Sequence, residues 1–248
     1  MPYVTVTALS HPGLMREHNE DSLAVGPWTL CATVTENPQT LGFPLGTPLV
    51  VAVADGIGGQ PAGEVASSLV VRQLASLGAA LDSEQAVTDA LDLCNRSVYA
   101  AADGDPQRTA MGTTVAGVVV LERELLVFNV GDSRVLDVTS RHAMLNRLTV
   151  DDNPPLPPGR RTTSLLTQAL GGAPGFTAVT PHVSTRPLST GERYLVCTDG
   201  LTDPVPEDRL DAVLRGNDGG RAAFALWKSA IDAGGPDNIT LALISIVD

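Results

Sequence analysis

LVVAVADGIGGQPAGEVASSLVVRQL, residues 49–74, contains the strongest structural signal of the chain: an apolar strand, a glycine-rich loop and then a helix. The run Leu49–Ala54 is rich in β-branched and apolar residues, which favours a strand. From Gly63 to Leu81, apolar residues recur every three or four positions, which predicts a helix with one apolar face. Asp55 and Gly56 therefore stand where a buried strand ends.

The rest of the chain contains further strand and helix patterns of the same two kinds. Apolar and β-branched runs predict five more strands, at residues 3–9, 113–121, 125–130, 194–198 and 239–247. A second helix is expected from Ser83 to about Ala101, where Ser83 and Gln85 suit a helix start, and a third near Arg221–Ala233. We expect loops at Asn37–Pro48 and in the segment NPPLPPGRR, residues 153–161.

The order of these elements predicts the fold class. Two helices follow one another, and several strands come without helices between them, unlike the regular alternation of doubly wound folds. The pattern favours an α+β fold with mostly antiparallel sheets. Because the apolar runs require cover on both faces, we expect two stacked sheets flanked by helices. Residues 1–248 are expected to form one domain.

The composition limits the partners and the compartment. A net charge of −12 speaks against nucleic acid or an anionic membrane as a partner, because both require a basic surface. The apolar runs are too short to cross a bilayer, and no signal peptide is visible in MPYVTVTALS. The three cysteines have no C-x-x-C spacing, which suits reduced thiols. We expect a cytoplasmic protein.

Four aspartates each lie at or beside the end of an apolar strand. They are Asp55, Asp132, Asp199 and Asp237. Taken singly, each has an ordinary explanation: Asp132 in GDS would suit a hairpin turn, and Asp237 could simply begin a strand. Taken together, they suggest that several buried strands end beside a shared positive ligand.

A divalent cation is the ligand that this set of acids favours. Hard cations such as Mg²⁺ and Mn²⁺ prefer oxygen ligands, namely a few carboxylates and several waters. The glycine at position 56 would let its backbone carbonyl approach such an ion. The four histidines form no zinc-binding pattern such as H-E-x-x-H.

Six motifs stand in an order that resembles one family. They are RxxNEDS (16–22), VAVADGIGGQPAGEVAS (51–67), MGTT (111–114), NVGDSR (129–134), LVCTDGLTD (195–203) and PDNIT (236–240). This series resembles the bacterial type 2C, metal-dependent (PPM) serine/threonine protein phosphatases, from about residue 5 to the C-terminus. The resemblance implies a four-layer α-β-β-α sandwich with a binuclear Mn²⁺ or Mg²⁺ centre at one end, where a metal-bridging hydroxide attacks the phosphate.

The resemblance also implies a role for each matching residue. Asp55 would bridge the two metals, the Gly56 carbonyl would bind one of them, and Asp199 and Asp237 would complete the ligands. Asp21 would hold metal-bound water, and Arg16 would bind the substrate phosphate. Asp132, together with Asp199, would support a third and weaker metal. Arg16, Asp21 and Asp55 are thus the predicted catalytic residues, whereas Glu20 could equally be a structural acid.

Three features depart from the family pattern. Gln60 stands where many relatives have histidine, and Asp151–Asn153 stand where D-H-S is common. The segment before TQALGG (167–172), which forms a substrate-selecting flap in relatives, is short and proline-rich here. We expect NPPLPPGRR to line the substrate entrance, with Arg160 and Arg161 facing a phosphopeptide, although a solvated loop would explain it equally well.

The catalytic residues that other classes of phosphatase require are absent from this sequence. A cysteine phosphatase needs arginine where Asp203 follows Cys197, and a D-x-D enzyme needs an acid where Ile57 follows Asp55. A P-loop motif is absent from the sequence.

Alternative interpretations of the same motifs stay open. One is a non-catalytic phosphoprotein- or kinase-binding scaffold of the same fold, and another is a phosphatase of small phosphorylated metabolites. The expected partners are phosphorylated substrates of a Ser/Thr kinase, acted on by a monomer. The residues do not choose between Mn²⁺ and Mg²⁺.

Overall fold

The structure is a computed structural model that describes residues 2–57, 62–139, 145–156, 159 and 162–248. Gln60, Arg160 and Arg161 lie outside the described residues, so the expectations that concern them stay untested. In the described part of the chain, no helix is both long and apolar enough to cross a membrane.

Strands dominate the described structure. They are β1 (Tyr3–His11), β2 (Ser22–Val25), β3 (Trp28–Cys31), β4 (Gln39–Pro44), β5 (Leu49–Ala54), β6 (Gly112–Thr113), β7 (Val115–Val120), β8 (Glu124–Val130), β9 (Arg134–Asp137), β10 (Asn146–Arg147), β11 (Leu170–Gly171), β12 (His182–Pro187), β13 (Arg193–Cys197) and β14 (Ile239–Val247). The α-helices are α1 (Gly63–Leu77), α2 (Glu84–Ala102), α3 (Asp199–Thr202), α4 (Glu207–Gly216) and α5 (Gly219–Asp232).

Two large sheets form the centre of the molecule. The first has the strand order β10-β9-β13-β14-β1-β4, and the second has the order β12-β8-β7-β5-β2-β3. The strand pairs within them are antiparallel. A short pair, β11 with β6, lies beside them.

Three apolar layers hold these elements together. Inward-facing residues of both sheets, such as Val51 of β5 and Ile244 of β14, form the layer between the sheets. The opposite face of β5 packs through Val50 against α1 and α2. The outer face of the first sheet packs in the same way against α3, α4 and α5. The result is the α-β-β-α sandwich, and the alternation along LVVAVA shows why this run is apolar throughout: both faces are covered.

Most of the expected elements are confirmed. The strand at residues 49–54 and the strand at 239–247 have the predicted bounds, and Ser83 caps α2 by accepting a hydrogen bond from the backbone N–H of Ala86. The first helix ends at Leu77, earlier than predicted, and a 3₁₀ turn follows at Gly78–Ala80.

Two expectations are wrong. The segment expected as a loop at Asn37–Pro48 contains the edge strand β4, which pairs with β1. Its sequence QTLGFP contains glycine and proline and is largely exposed, so the apolar pattern of a covered strand is missing. The hairpin considered for Asp132 is also absent, because β8 and β9 lie in different sheets. The residues around Asp132 carry the chain from one sheet to the other.

Candidate active site

One end of the sandwich collects the strand ends that carry the predicted acids. Asp55 follows β5 of the second sheet, whereas Asp199 follows β13 and Asp237 precedes β14 of the first. Asp132 lies on the crossing from β8 to β9. Because the strands that end here belong to both sheets, their acids converge over the edge of the layer that separates the sheets.

These residues line a pocket of about 250 Å³. Arg16, Asp55, Gly56, Asp132, Asp199 and Asp237 are all among its lining residues. Asp21 is not, because it is 0% exposed and lies behind the pocket floor. The structure therefore brings together six of the seven predicted residues around one cavity and places the seventh directly behind it.

Asp55 is held in place by Thr113 of β6 and by Thr114, which lies between β6 and β7. Its backbone N–H donates to the Thr114 Oγ1 at 3.3 Å, and its carbonyl accepts from the Thr113 Oγ1 at 2.7 Å. Thr114 in turn shares a 2.8 Å hydrogen bond with the hydroxyl of Ser133, next to Asp132. The MGTT motif thus orients the acid at the end of β5 and ties it to the crossing that carries Asp132.

Asp21 is held by hydroxyl groups on the other side of the floor. Its Oδ2 accepts a 2.9 Å hydrogen bond from the Thr198 Oγ1, which itself accepts from the backbone N–H of Thr240 at 3.1 Å. Thr198 lies immediately before Asp199, so the same threonine joins Asp21 to the strand end that presents Asp199.

Asn238 fixes the loop that carries Arg16. Its side-chain amide donates to the carbonyls of Pro12 and His18, and its Oδ1 accepts from the backbone N–H of Glu20 at 2.7 Å. No role for this residue was predicted from the sequence, although an asparagine that ends an exposed turn before a buried strand commonly binds neighbouring backbone. It is the main positioning residue of the site that the motifs did not reveal.

Two glycines allow the loops of the site to approach closely. A Cβ at Gly200 would overlap the carbonyl oxygen of Asn238, and a Cβ at Gly13 would overlap that of Asp237. Gly13 also has a φ of +79°, which L side chains rarely adopt. The glycine of the TDG motif is therefore required by the contact between the Asp199 and Asp237 loops.

The guanidinium of Arg16 lies on the rim of the pocket. It donates to the Oδ2 of Asp237 at 2.7 Å, and its side chain is 43% exposed. Arg16 can contact a molecule in the pocket with its remaining donors, since a guanidinium carries five N–H groups. Glu20 lines the pocket as well, and its backbone carbonyl accepts from the Gly56 N–H at 3.3 Å. That contact gives Glu20 a structural role through its backbone.

Burial and mutual repulsion make the central acids reluctant to ionise. Burial, followed by the charges of Asp21 and Asp199, raises the pKa of Asp55 well above its usual value. Burial and the charge of Asp132 do the same to the pKa of Asp199. Burial raises the pKa of Asp21 to about 7, even though Thr240 and Thr198 donate to it. Asp55 and Asp199 open onto the pocket on one side, but protein atoms enclose them on the others.

The same groups fit a divalent cation. One carboxylate oxygen of Asp21 and one of Asp199 are buried without a hydrogen-bond partner. Over the described residues, no three His, Cys, Asp or Glu side chains already form a complete metal cage. A preformed cage is not required, because Mg²⁺ and similar ions take one or two carboxylates and complete their shell with water and substrate phosphate. A cation in the pocket would offset the repulsion between these carboxylates and would give the unpaired oxygen of Asp199 a ligand.

Known proteins share both the sequence pattern and the fold. Residues 44–221 match the family model for protein phosphatase 2C. The serine/threonine protein phosphatase PstP of Mycobacterium tuberculosis is 32% identical over 97% of this chain, which spans only 45% of the length of that relative. The serine/threonine phosphatase stp of Listeria monocytogenes is 29% identical, over 94% of this chain and 92% of its own.

A solved structure matches the whole described fold. The catalytic domain of PstP in complex with two manganese ions superposes with a TM-score of 0.77 at 30% identity, covering 100% of both chains. The family match extends over most of the chain, and the acids that its motifs contribute line one pocket. The chain belongs to the protein phosphatase 2C family.

Proposed function

We propose that this chain is a metal-dependent serine/threonine protein phosphatase that hydrolyses phosphoserine and phosphothreonine in proteins. The observation that carries the proposal is the group of buried aspartates with raised pKa values and unpaired oxygens at the end of two sheets. The named phosphatases among its relatives support it, as does the PstP structure with two manganese ions.

Two Mn²⁺ or Mg²⁺ ions are the proposed cofactors. Asp55, the Gly56 carbonyl, Asp199 and Asp237 would hold them, and Asp132 with Asp199 would hold a third, weaker ion. When bound, such ions would make water more acidic and so supply a nucleophile for the phosphate at neutral pH. The choice between Mn²⁺ and Mg²⁺ and the third ion stay predictions.

The protein groups around this centre would bind and orient the substrate. Arg16 suits a phosphate dianion because its guanidinium presents paired donors in a fixed fork. Asp21 would hold water of the metal centre, as the family resemblance implies; Thr198 donates to its Oδ2, and its Oδ1 has no partner among the described residues. The hydroxyls of Thr114 and Ser133 would keep Asp55 in register with Asp132.

The scaffold alternative is less well supported. A non-catalytic member would be expected to lose its metal carboxylates, yet Asp55, Asp199 and Asp237 all line the pocket. Kinase-made substrates, a monomeric state, a single domain over residues 1–248 and a cytoplasmic location stay predictions.

Activity should depend on both metal and Asp199. We expect the protein to release phosphate from a phosphothreonine peptide in Mn²⁺ and not in chelator. Asp199→Asn should lower kcat/KM at least about a hundredfold, since it weakens the hold on the metal centre. The exposed Asp82→Asn is the matched control and should retain activity. A folded wild type that binds the peptide but releases no phosphate in millimolar Mn²⁺ would favour the scaffold.

Arg16 should act mainly on substrate binding. Arg16→Ala is expected to raise KM for the phosphopeptide about tenfold with a smaller change in kcat, because a contact made equally in the bound and reacting states affects KM. Steady-state kinetics would measure both constants. An unchanged KM with a collapsed kcat would instead mean that Arg16 acts through its ion pair with Asp237.

The metal-free protein should be destabilised by its own carboxylates. An unfolded aspartic acid loses its proton near about pH 4, whereas folded Asp21 keeps it until about pH 7. The unfolded state therefore releases protons first, and the free energy of unfolding falls as pH rises through this window. In chelator, Tm should be lower at pH 8 than at pH 5.5.

Replacing one of these acids should remove part of the destabilisation of the metal-free protein at high pH. Asp55→Asn is expected to raise Tm of the metal-free protein at pH 8 by about 3 °C or more, the shift that roughly 1 kcal/mol causes in a chain of this size. Thermal unfolding with Asp82→Asn as the control would test this. A lower Tm for Asp55→Asn than for wild type in chelator would show that repulsion at Asp55 does not destabilise the fold.

A further inference from the structure

A second cavity adjoins the catalytic pocket. It has a volume of about 350 Å³ and shares Ile57, Ser164 and Leu166 with that pocket. Beyond these shared residues it continues along Leu165, Ala173 and Val179. We call this second cavity the side groove. A chain whose reacting residue occupies the catalytic pocket would lie directly beside it.

The side groove differs from the catalytic pocket in chemistry. None of its described lining residues is charged, and most are apolar or glycine. The catalytic pocket is lined by Arg16, Glu17, Glu20 and the aspartates. The aspartates and glutamates of the catalytic pocket would repel an acidic side chain, whereas an apolar side chain would gain free energy by leaving water for the side groove.

One wall of the side groove is fixed by Asp152 and Asn153. The backbone N–H of Thr167 donates to the Asp152 carbonyl at 2.7 Å, and the Gln168 Nε2 donates to the Asp152 Oδ2 at 3.0 Å. The Asn153 Nδ2 donates to the carbonyl of Leu165 at 2.9 Å and to the Oδ2 of Asp132 at 3.1 Å. The wall is therefore attached to Asp132, which lies on the crossing between the two sheets and also lines the catalytic pocket.

Gln168 and its partner strengthen the same wall. Gln168 exchanges two hydrogen bonds with the backbone of Thr180: its Oε1 accepts at 2.7 Å and its Nε2 donates at 3.0 Å. These bonds join the segment at 164–168 to the segment at 177–180, so the groove is already formed without a ligand. A preformed groove binds a side chain without first having to be ordered.

The floor is made by Ile57 and Gly172. The backbone N–H of Ile57 donates to the Gly112 carbonyl at 3.0 Å, and that of Gly172 donates to the Met111 carbonyl at 2.9 Å. A Cβ at Gly172 would lie 3.2 Å from the Ile57 Cδ1, and its φ is +78°. Glycine here leaves the floor of the groove open.

We propose that the side groove binds an apolar side chain of the substrate within about three residues of the phosphorylated residue, a reach of about 10 Å in an extended peptide. This inference rests on the proposed phosphatase function and names its substrate class: phosphoproteins with an apolar residue beside the phosphorylation site. The continuity of the two cavities and their contrast in charge carry it.

A peptide scan tests the preference. Phosphothreonine peptides with glycine and serine at the flanking positions would be compared with peptides that carry one leucine, placed in turn at each position from −3 to +3. We expect one or two positions at which leucine raises kcat/KM about tenfold, which is the scale of discrimination by an apolar pocket. Aspartate at the same position should lower it.

Two variants assign the preference to the groove. Leu165→Ala removes an apolar wall residue, and Ala178→Trp fills the groove from its exposed edge. Both should reduce the ratio of kcat/KM between the leucine and serine peptides to about one. Leu93→Ala, an exposed leucine of α2 that lines neither cavity, should keep the ratio.

The outcomes separate the inference from the function on which it rests. Para-nitrophenyl phosphate and the serine peptide report wild-type activity without a leucine. If the wild type hydrolyses them and no leucine position changes kcat/KM by more than about twofold, the groove inference is overturned and the phosphatase stands. The groove inference is also overturned if both folded groove variants keep the preference. If the wild type hydrolyses none of these substrates in Mn²⁺, both proposals are overturned.

Discussion

The constraint on which this site depends is the electrostatic repulsion between its buried carboxyl groups. Asp21, Asp55 and Asp199 lie where two sheets end, with too little water to ionise easily and two oxygens that no protein group satisfies. A fold gains no stability from such a group by itself. Divalent cations would supply the positive charge that this group of acids lacks.

The sandwich makes this arrangement possible because its strands are held on both faces. β5 and β14 are covered by apolar layers along nearly their whole length, so their ends are rigid supports for Asp55 and Asp237. Threonine hydroxyls, rather than charged partners, orient Asp21 and Asp55. Thr198 donates a hydrogen bond to the carboxylate of Asp21, and Thr114 accepts one from the backbone N–H of Asp55. The carboxyl groups are thus held in place while one oxygen of Asp21 and one of Asp199 keep no hydrogen-bond partner.

The covered strands and the acids could be predicted from the sequence, because both leave local patterns. LVVAVA and its following Asp55 lie where the pattern placed them, and so does the strand after Asp237. The edge strand β4 could not be predicted in the same way, because an exposed strand needs no apolar run. That the chain crosses from one sheet to the other at Asp132 could not be predicted either. The sequence GDS is the same whether it joins two strands of one sheet or strands of two sheets.

Long-range contacts account for the residue roles that could not be predicted from the sequence. Asn238 forms hydrogen bonds with the backbone of residues more than two hundred positions away, and the sequence around PDNIT contains no pattern that indicates these contacts. Asp152 and Asn153 depart from the family pattern, yet they attach the groove wall to the aspartate crossing. Their function depends on which segments the fold brings beside them, so it becomes visible only in three dimensions.

Cations should take the place of protons on these buried acids. Calorimetric titration of Mn²⁺ into the chelator-treated protein near pH 6.5, in two buffers of different ionisation enthalpy, gives the number of ions bound and the number of protons released. We expect two ions per chain and a net release of protons. Binding without proton release, or no binding at millimolar Mn²⁺, would mean that the raised pKa values of these acids are unconnected to a metal centre.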